Sequence, residues 1–213
     1  MATTVRTRTD PRSEATRVAL IEAAESLFAR HGFDAVSLRQ IGAAIGSGNT
    51  RVVAYHFGTK DDFIDAIYRH RVPAMEERRR ELLAEADAAG RGQDLATLSR
   101  IISQPLFEQT DADGQHSYGR FLCTMMLRDR GPTPMVLTTP TPATLTIWSR
   151  IQEQLPVNGP MLLMRLHIVI AMLLDAFRLM DNVRGQQFSG FSAERIFEDT
   201  IAMTLAAFQA PTA

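Results

Sequence analysis

The sequence predicts an all-α protein with a small N-terminal helical bundle and a larger C-terminal helical domain. Apolar residues recur at helical spacing through most of the 213 residues, and no segment alternates apolar and polar residues as a half-buried strand does. The length exceeds one typical domain, and the apolar fraction of 45% is sufficient for a buried core. We expect a flexible polar arm over residues 1–12, a first domain over 13–71 and a second over 72–213.

The first two helices have clear start and stop signals. Helix one is predicted over residues 13–31, because its apolar residues recur every three or four positions and Gly32 follows as a left-handed cap. Ser37 and Gln40 have the spacing of a capping box, so helix two begins at Ser37.

A short breaker then leads into a third helix. The run Gly46-Ser47-Gly48 has a permissive backbone, and Asn49 and Thr50 are both good N-caps, which predicts a helix over residues 49–57. The break at residues 58–62 restarts a fourth helix, with Thr59 as its cap. This order of helix, tight turn and helix is a helix-turn-helix.

The second domain is predicted to be helical throughout. Pro73 is expected to kink or divide the fourth helix, and Pro105 to kink a later one. Gly, Pro and Asn mark the connections between helices. The predicted helices cover residues 73–89, 94–109, 117–130, 144–155, 160–181 and 192–209, with loops near 111–115, 131–142 and 182–190.

The charge is unevenly distributed along the chain. The net charge is -1, but the first 60 residues carry a net +3, and Lys60 is the only lysine in the sequence. A local excess of cations in a near-neutral protein is compatible with a nucleic-acid partner for the N-terminal domain.

Several classes of protein are disfavoured. Cys123 is the only cysteine, so an internal disulfide is impossible, and no Cys/His spacing of a structural zinc site occurs. Charged residues interrupt the most apolar stretch, residues 161–180, and no signal peptide is visible, so we expect a cytoplasmic protein without a membrane span. No catalytic motif or phosphate-binding glycine loop is present, so we expect no enzyme activity, no metal and no cofactor.

The third helix has the pattern of a helix that enters the major groove of duplex DNA. Val53 and Phe57 lie four residues apart and can face the core, which leaves polar side chains for the opposite face. The fork of Arg51 matches the O6 and N7 atoms of guanine, whereas Tyr55 and His56 suit phosphate contacts. The predicted DNA-binding residues are Ser37, Asn49, Thr50, Arg51, Ala54, Tyr55, His56 and Lys60.

Structural roles remain open for some of these residues. Tyr55 and His56 can instead cap or pack the bundle, and Arg51 can be a solvated surface charge. The arginines of the arm, Arg6, Arg8 and Arg12, either enter an adjacent minor groove or belong to a disordered tail.

The ordered matches Ala24, Leu27-Phe28, Gly32-Phe33, Ser37, Ile41, Gly46 and Tyr55-His56-Phe57-Gly58-Thr59-Lys60 resemble the DNA-binding domain of TetR-family repressors. The resemblance implies that residues 49–57 enter the major groove and that Lys60 contacts a phosphate. This chain differs from the family pattern in having one more residue between Gly46 and Phe57. It also has Ala54 where a phosphate-binding tyrosine is common.

The resemblance further implies that the second domain binds a small-molecule effector and forms a homodimer through its last two helices. Candidate pocket residues are Phe107, Phe121, Met125, Met126, Trp148, Met164 and His167, because methionine and aromatic side chains adapt to apolar ligands. Candidate interface residues are Leu166, Ile170, Leu174, Phe177, Phe197, Ile201, Leu205 and Phe208. Both sets can alternatively be ordinary core.

The sequence therefore predicts a one-component transcriptional regulator. It would bind an inverted-repeat operator as a dimer and be released by an effector, as a repressor is. The alternative is a helical small-molecule sensor or interaction protein that keeps the fold without operator binding.

Overall fold

The computed structural model of the chain describes residues 10–126, 141–182 and 190–211, which form helices joined by turns, with no strand among them. The all-α prediction is therefore confirmed for these residues. Arg6 and Arg8, the last part of the helix predicted over 117–130, and most of the loops predicted near 131–142 and 182–190 lie outside the described residues. The helices are α1 (Pro11–His31), α2 (Leu38–Ala44), α3 (Val52–Phe57), α4 (Lys60–Ala88), α5 (Leu95–Phe107), α6 (Ser117–Met126), α7 (Pro142–Gln152), α8 (Gly159–Asn182) and α9 (Ala193–Gln209).

Helix α1 begins earlier than the sequence analysis placed it. Asp10 is its N-cap, and the Asp10 carboxylate accepts a hydrogen bond from the backbone N–H of Arg12 over 3.1 Å. Pro11 occupies the first turn, where the N–H that proline lacks would have no helical partner. Arg12 therefore lies in α1 and not in the arm.

The chain divides into two compact units, one ending at Ile67 and the other beginning at Tyr68. Helix α4 begins in the first unit and continues in the second. Pro73 lies inside α4 without dividing it, so the predicted division is wrong, and the alternative of a kink stays a prediction. A proline removes only one N–H from the helical ladder, and the turns on either side keep their own hydrogen bonds.

The first unit packs α1 on α2 and α2 on α3. Local caps fix the corner between α1 and α2. Gly32 has a φ of +79°, as expected for a residue that ends a helix. Ser37 Oγ accepts from Gln40 N over 3.3 Å, and Gln40 Oε1 accepts from Ser37 N over 2.8 Å, which confirms the capping box. The apolar side chains with no exposed surface in this core are Leu20, Ala24, Phe28, Ile41, Phe63 and Ile67.

The second unit packs α8 on α9 and α6, and α5 on α9 and α7. Helices α6 and α8 approach closely at Gly119, where an added Cβ would lie 2.6 Å from Cδ2 of Phe177. Phe177 itself has no exposed surface. A separate apolar cluster is formed by Leu83, Ala86, Leu95, Leu98, Ile101, Ile147 and Ile151.

Helix α8 is the one described helix that is long and apolar enough to cross a membrane, although only a third of its most apolar window is buried in this chain. Core helices of soluble proteins meet the same criteria of length and composition. Arg165 lies within this helix and is buried, and its guanidinium donates to the carbonyl oxygens of Phe208 and Pro211 over 3.0 and 3.1 Å. The arginine thus ties α8 to the end of α9 and pairs carbonyls that a helix end leaves without partners.

Candidate functional site

The turn between α2 and α3 is longer than the sequence analysis predicted. Asn49 Oδ1 accepts from Arg51 N over 2.9 Å, and Asn49 N donates to Ser47 Oγ over 3.2 Å. A side chain that bonds the backbone two residues ahead forms a turn that competes with the helix. The helix predicted to begin at Asn49 therefore begins at Val52, with Arg51 at the N-cap position.

Helix α3 separates inward and outward side chains clearly. Val53 and Phe57 are buried, as predicted, and Val52 is buried beside them. Ala54 is exposed, and Tyr55 has 81% of its surface exposed. Tyr55 is therefore the large side chain that α3 presents to solvent.

A glycine sets the distance between α2 and α3. A Cβ added at Gly42 would lie 2.8 Å from Cγ1 of Val52, closer than two carbon atoms can approach. Only glycine fits this position without movement of Val52. The contact holds the two helices of the helix-turn-helix at close range.

The structure brings most of the predicted DNA-binding residues to the surface of the first unit. Ser37, Asn49, Thr50, Arg51, Ala54 and Tyr55 are exposed, whereas His56 and Lys60 are partly covered. Arg39 on α2 is also exposed, although the sequence analysis did not select it. The sequence could have indicated this exposure, because Arg39 lies two residues before Ile41, which marks the buried face of α2.

Lys60 has internal partners. Its Nζ donates to the carbonyl oxygens of Phe33 and Val36 over 2.7 and 2.6 Å, and it lies 3.9 Å from the centroid of the Phe33 ring. These contacts hold the ammonium group on the corner between α1 and α2. Lys60 therefore has a structural role in this unit, and the phosphate contact implied by the family resemblance stays a prediction.

Arg17 of α1 contacts the end of α3, and the sequence analysis did not select it. Its Nη1 donates to the carbonyl oxygen of His56 over 2.7 Å, and its guanidinium carbon lies 4.4 Å from the centroid of the Phe57 ring. Burial, reinforced by the positive charge of Arg17, lowers the pKa of the His56 imidazole below its ordinary value of 6.5. The imidazole of His56 is therefore uncharged at neutral pH.

The start of α4 is fixed by a reciprocal cap. Thr59 Oγ1 accepts from Asp62 N over 3.1 Å, and Asp62 Oδ2 accepts from Thr59 N over 3.0 Å. Gly58, with a φ of +82°, makes the bend that precedes this cap. The prediction of Thr59 as the cap is confirmed.

The predicted effector residues occupy different environments in the second unit. Phe121 and Met125 are buried, and Phe107 stacks on Phe197 with ring centroids 4.4 Å apart. Met164 and His167, in contrast, are exposed on α8. Met126 and Trp148 are partly buried. The effector pocket formed by these residues stays a prediction.

Most of the predicted interface residues belong to the core of this chain. A side chain that is already buried offers no surface for a second copy to cover. The buried members are Leu174, Phe177, Phe197, Ile201 and Phe208, while Leu166 and Leu205 are partly buried and Ile170 is exposed. The exposed apolar side chains of α8 and α9 are Met161, Leu163, Met164, Ile168, Ile170 and Met203, and of these only Ile170 was predicted for the interface.

A buried polar cluster lies where α6 meets the end of α8. Asp181 Oδ1 is 2.8 Å from His116 Nδ1 and accepts from His116 N over 3.0 Å, and Arg120 donates to Asp181 Oδ2 over 3.3 Å. The rings of Phe107 and Phe177 lie 5.5 and 5.1 Å from the His116 ring. The sequence analysis missed this cluster, because its members are 65 residues apart in the chain.

The described residues include no group of three or more His, Cys, Asp or Glu side chains placed to hold a metal ion. Burial raises the pKa of the Cys123 thiol, and the nearby Asp175 raises it further. The thiol is therefore protonated at neutral pH and a poor nucleophile.

The N-terminal part of this chain is similar to a known family of proteins. Residues 20–67 match the family of bacterial regulatory proteins described as the tetR family. A TetR-family regulator from Streptomyces coelicolor is 18% identical, with 94% of this chain and 98% of that chain covered and a TM-score of 0.41. PfmR, a TetR family transcriptional regulator from Thermus thermophilus, is 16% identical, with coverage of 91% and 96% and a TM-score of 0.45. The chain has no match among curated proteins.

Proposed function

We propose that this chain, whose residues 20–67 match the tetR family of bacterial regulatory proteins, is a repressor that binds an inverted-repeat operator as a homodimer. Regulation of transcription by DNA binding is the activity of the family. TetR-family regulators are in general not enzymes, and we place this one in the cytoplasm.

The observation that carries the proposal is the surface formed by the turn and α3. Thr50, Arg51 and Tyr55 are exposed, whereas the opposite face of α3 is buried. The side-chain oxygens of Asn49 and Ser47 accept backbone hydrogen bonds that hold the turn that presents Arg51. A fixed scaffold keeps a side chain aimed at a base edge, which is what sequence recognition in the major groove requires.

Two DNA-binding units are needed to read an inverted repeat, because the half-sites lie about one helical turn apart on the same face of the duplex. We place the dimer interface on the exposed apolar side chains of α8, with Leu163 at 67% and Ile168 at 55% exposure. An open groove of about 370 Å³ between α8 and α9 continues this surface toward Phe191 and Met203. A second copy would cover both and leave the buried core unchanged.

We propose that a small-molecule effector contacts the second unit and lowers operator affinity by changing the distance between the two DNA-binding units of the dimer. Phe107, Phe121, Met125, Met126 and Trp148 remain the candidates for apolar contact. Met164 and His167 are reassigned to the surface of α8. The polar cluster of His116 and Asp181 offers a hydrogen-bonding partner beside Phe107.

The test begins with selection of duplexes from a random-sequence pool by the full-length protein. The affinity for the selected duplex is then measured at several salt concentrations, together with that for a random duplex of equal length. Specific binding, with log K falling linearly by about 0.9 per phosphate neutralised in log salt, is the expected result. Failure of every duplex to bind at low salt would support the alternative of a sensor without operator binding.

Arg51 provides the residue-level test. Arg51→Ala is expected to weaken binding to the selected duplex by about 1 to 3 kcal/mol and to relax the preference at one base pair. The control is Arg80→Ala, because Arg80 is an exposed arginine on α4 that pairs with Glu77. Equal base discrimination by the wild type and Arg51→Ala would remove Arg51 as a reader of bases.

A further inference from the structure

We propose that Arg17 is a positioning residue of the DNA-binding surface, which fixes the C-terminal end of α3 on α1 and so sets the orientation of Tyr55 and Arg51. The inference rests on the proposed function, because the orientation of α3 matters only if α3 reads DNA. Arg17 itself is assigned no contact with DNA.

The contacts of Arg17 hold the backbone and the last side chain of α3. The bond from Nη1 to the carbonyl oxygen of His56 measures 2.7 Å and joins residues 39 positions apart in the chain. The guanidinium also covers one part of the Phe57 ring at 4.4 Å, and that ring lies 4.4 Å from the ring of Phe63. Arg17 therefore joins α1 to the backbone of α3 at His56 and to the buried side chain of Phe57.

A helix as short as α3 depends on such contacts. It has six residues, and isolated helices of this length do not form in water. The last carbonyl groups of a helix lack helical partners and carry the negative end of the helix dipole, so a cation placed there is favourable. Arg17 supplies the cation and the hydrogen bond together.

Arg17 is partly buried, which distinguishes it from the exposed cations that a DNA phosphate can reach. Its side chain is 35% exposed, and its Nε lies 3.8 Å from Glu14 Oε2, so a neighbouring carboxylate already compensates part of its charge. Arg51 has no side-chain cap bond and is exposed. A structural contact fits Arg17 better than a phosphate contact does.

The consequence for DNA binding follows from the place of His56 in the helix. His56 directly follows Tyr55 in the chain. A displacement of the C-terminal end of α3 therefore also displaces Tyr55. Base recognition needs side chains held within about half an ångström of their productive position, whereas phosphate attraction tolerates larger displacement. Loss of Arg17 should therefore reduce discrimination between sequences more than total affinity for DNA.

The first experiment uses the full-length protein without DNA. Hydrogen exchange is measured in the wild type, in Arg17→Met and in the control Arg30→Met, an exposed position on the same helix. In Arg17→Met, the amides of Tyr55 and Gly58 should exchange about tenfold faster, while that of Gly32 at the end of α1 should change little. A uniform increase at all three amides would show a general loss of stability and would overturn the inference.

The second experiment measures the affinity of the same variants for the selected duplex and for a random duplex of equal length. We expect the ratio of the two affinities to fall about tenfold in Arg17→Met, with the salt dependence unchanged. Arg17→Lys, which keeps the charge and part of the stem, should recover part of the ratio. An equal loss on both duplexes, with a shallower salt dependence, would identify Arg17 as a phosphate contact and overturn the inference.

The two experiments separate failure of this inference from failure of the proposed function. If the wild type selects no duplex, the proposed function fails, and the exchange of the α3 amides still decides whether Arg17 positions the helix. If Arg17→Met does not fold, the exchange and affinity comparisons are made with Arg17→Gln, which removes the charge and keeps a polar side chain. Unchanged α3 exchange and an unchanged affinity ratio in that variant would overturn the inference.

Discussion

The ammonium group of Lys60 lies 2.7 Å from the carbonyl oxygen of Phe33 and 3.9 Å from the centroid of the Phe33 ring. Lys60→Met keeps the apolar stem but leaves two carbonyl groups without this donor. We expect the free energy of unfolding to fall by about 1 to 3 kcal/mol in urea titrations. The exposed control Arg80→Met should change it by less than about 0.5 kcal/mol.

The salt dependence of DNA binding separates this role from a phosphate contact. Because Lys60 is bound inside the first unit, Lys60→Met should leave the slope of log K against log salt unchanged. A slope that becomes shallower by about 0.9 for each subunit would instead show that the ammonium neutralises a phosphate.

Gly42 is expected to tolerate no side chain. Gly42→Val places atoms against Cγ1 of Val52, which an added Cβ alone already approaches to 2.8 Å, and should lower stability by about 1 to 3 kcal/mol. The control is Gly48→Val, because a Cβ at Gly48 meets no atom within 4 Å. Urea unfolding of both variants provides the comparison, and equal effects would mean that the contact between α2 and α3 does not limit position 42.

His56 should make stability depend on pH. Burial and the charge of Arg17 lower its pKa in the folded protein, so the unfolded chain binds the proton more readily. The stabilising contribution is complete above the unfolded pKa of about 6.5 and is lost as the pH falls toward the folded pKa. Urea unfolding between pH 5 and 8 should therefore show a smaller loss at low pH in His56→Gln than in the wild type. Identical pH profiles would contradict the role of His56.

The dimer surface on α8 can be tested by charge insertion. Ile168→Glu should convert the protein to a monomer of 23.7 kDa in sedimentation at micromolar concentration, because a carboxylate would be buried in the interface without a partner. Leu145→Glu on α7 is the control, with 64% exposure in the wild type against 55% for Ile168. A wild-type protein that sediments only as a monomer would contradict the proposed interface.

The sequence was most informative where the relevant contacts are local. The capping box at Ser37 and the cap at Thr59 depend on residues three positions apart, so the residue types alone indicate the hydrogen bonds. The predicted start of α3 was wrong, because Asn49 can either cap a helix or form a turn to the residue two positions ahead. Both options use the same side-chain oxygen, and the sequence does not distinguish them.

Contacts between distant parts of the chain left a weaker signal. The partners of Lys60 are backbone carbonyls more than 20 residues earlier, and every residue type carries a carbonyl. On α8, Phe177 and Ile168 have similar apolar character, but the first is buried by this chain and the second is not. Helical periodicity identifies an apolar side chain without indicating which neighbour covers it.

The alternation of inward and outward residues along α3 has a consequence for changes in operator preference. Val52, Val53 and Phe57 hold the helix in place, whereas Ala54 and Tyr55 carry little of the packing. A library that varies residues 50, 51, 54 and 55 can therefore explore new target sequences while the turn at Asn49 and the core of the bundle stay intact. The same division would let natural variants acquire new binding sites by single substitutions, without first compensating for damage to the core.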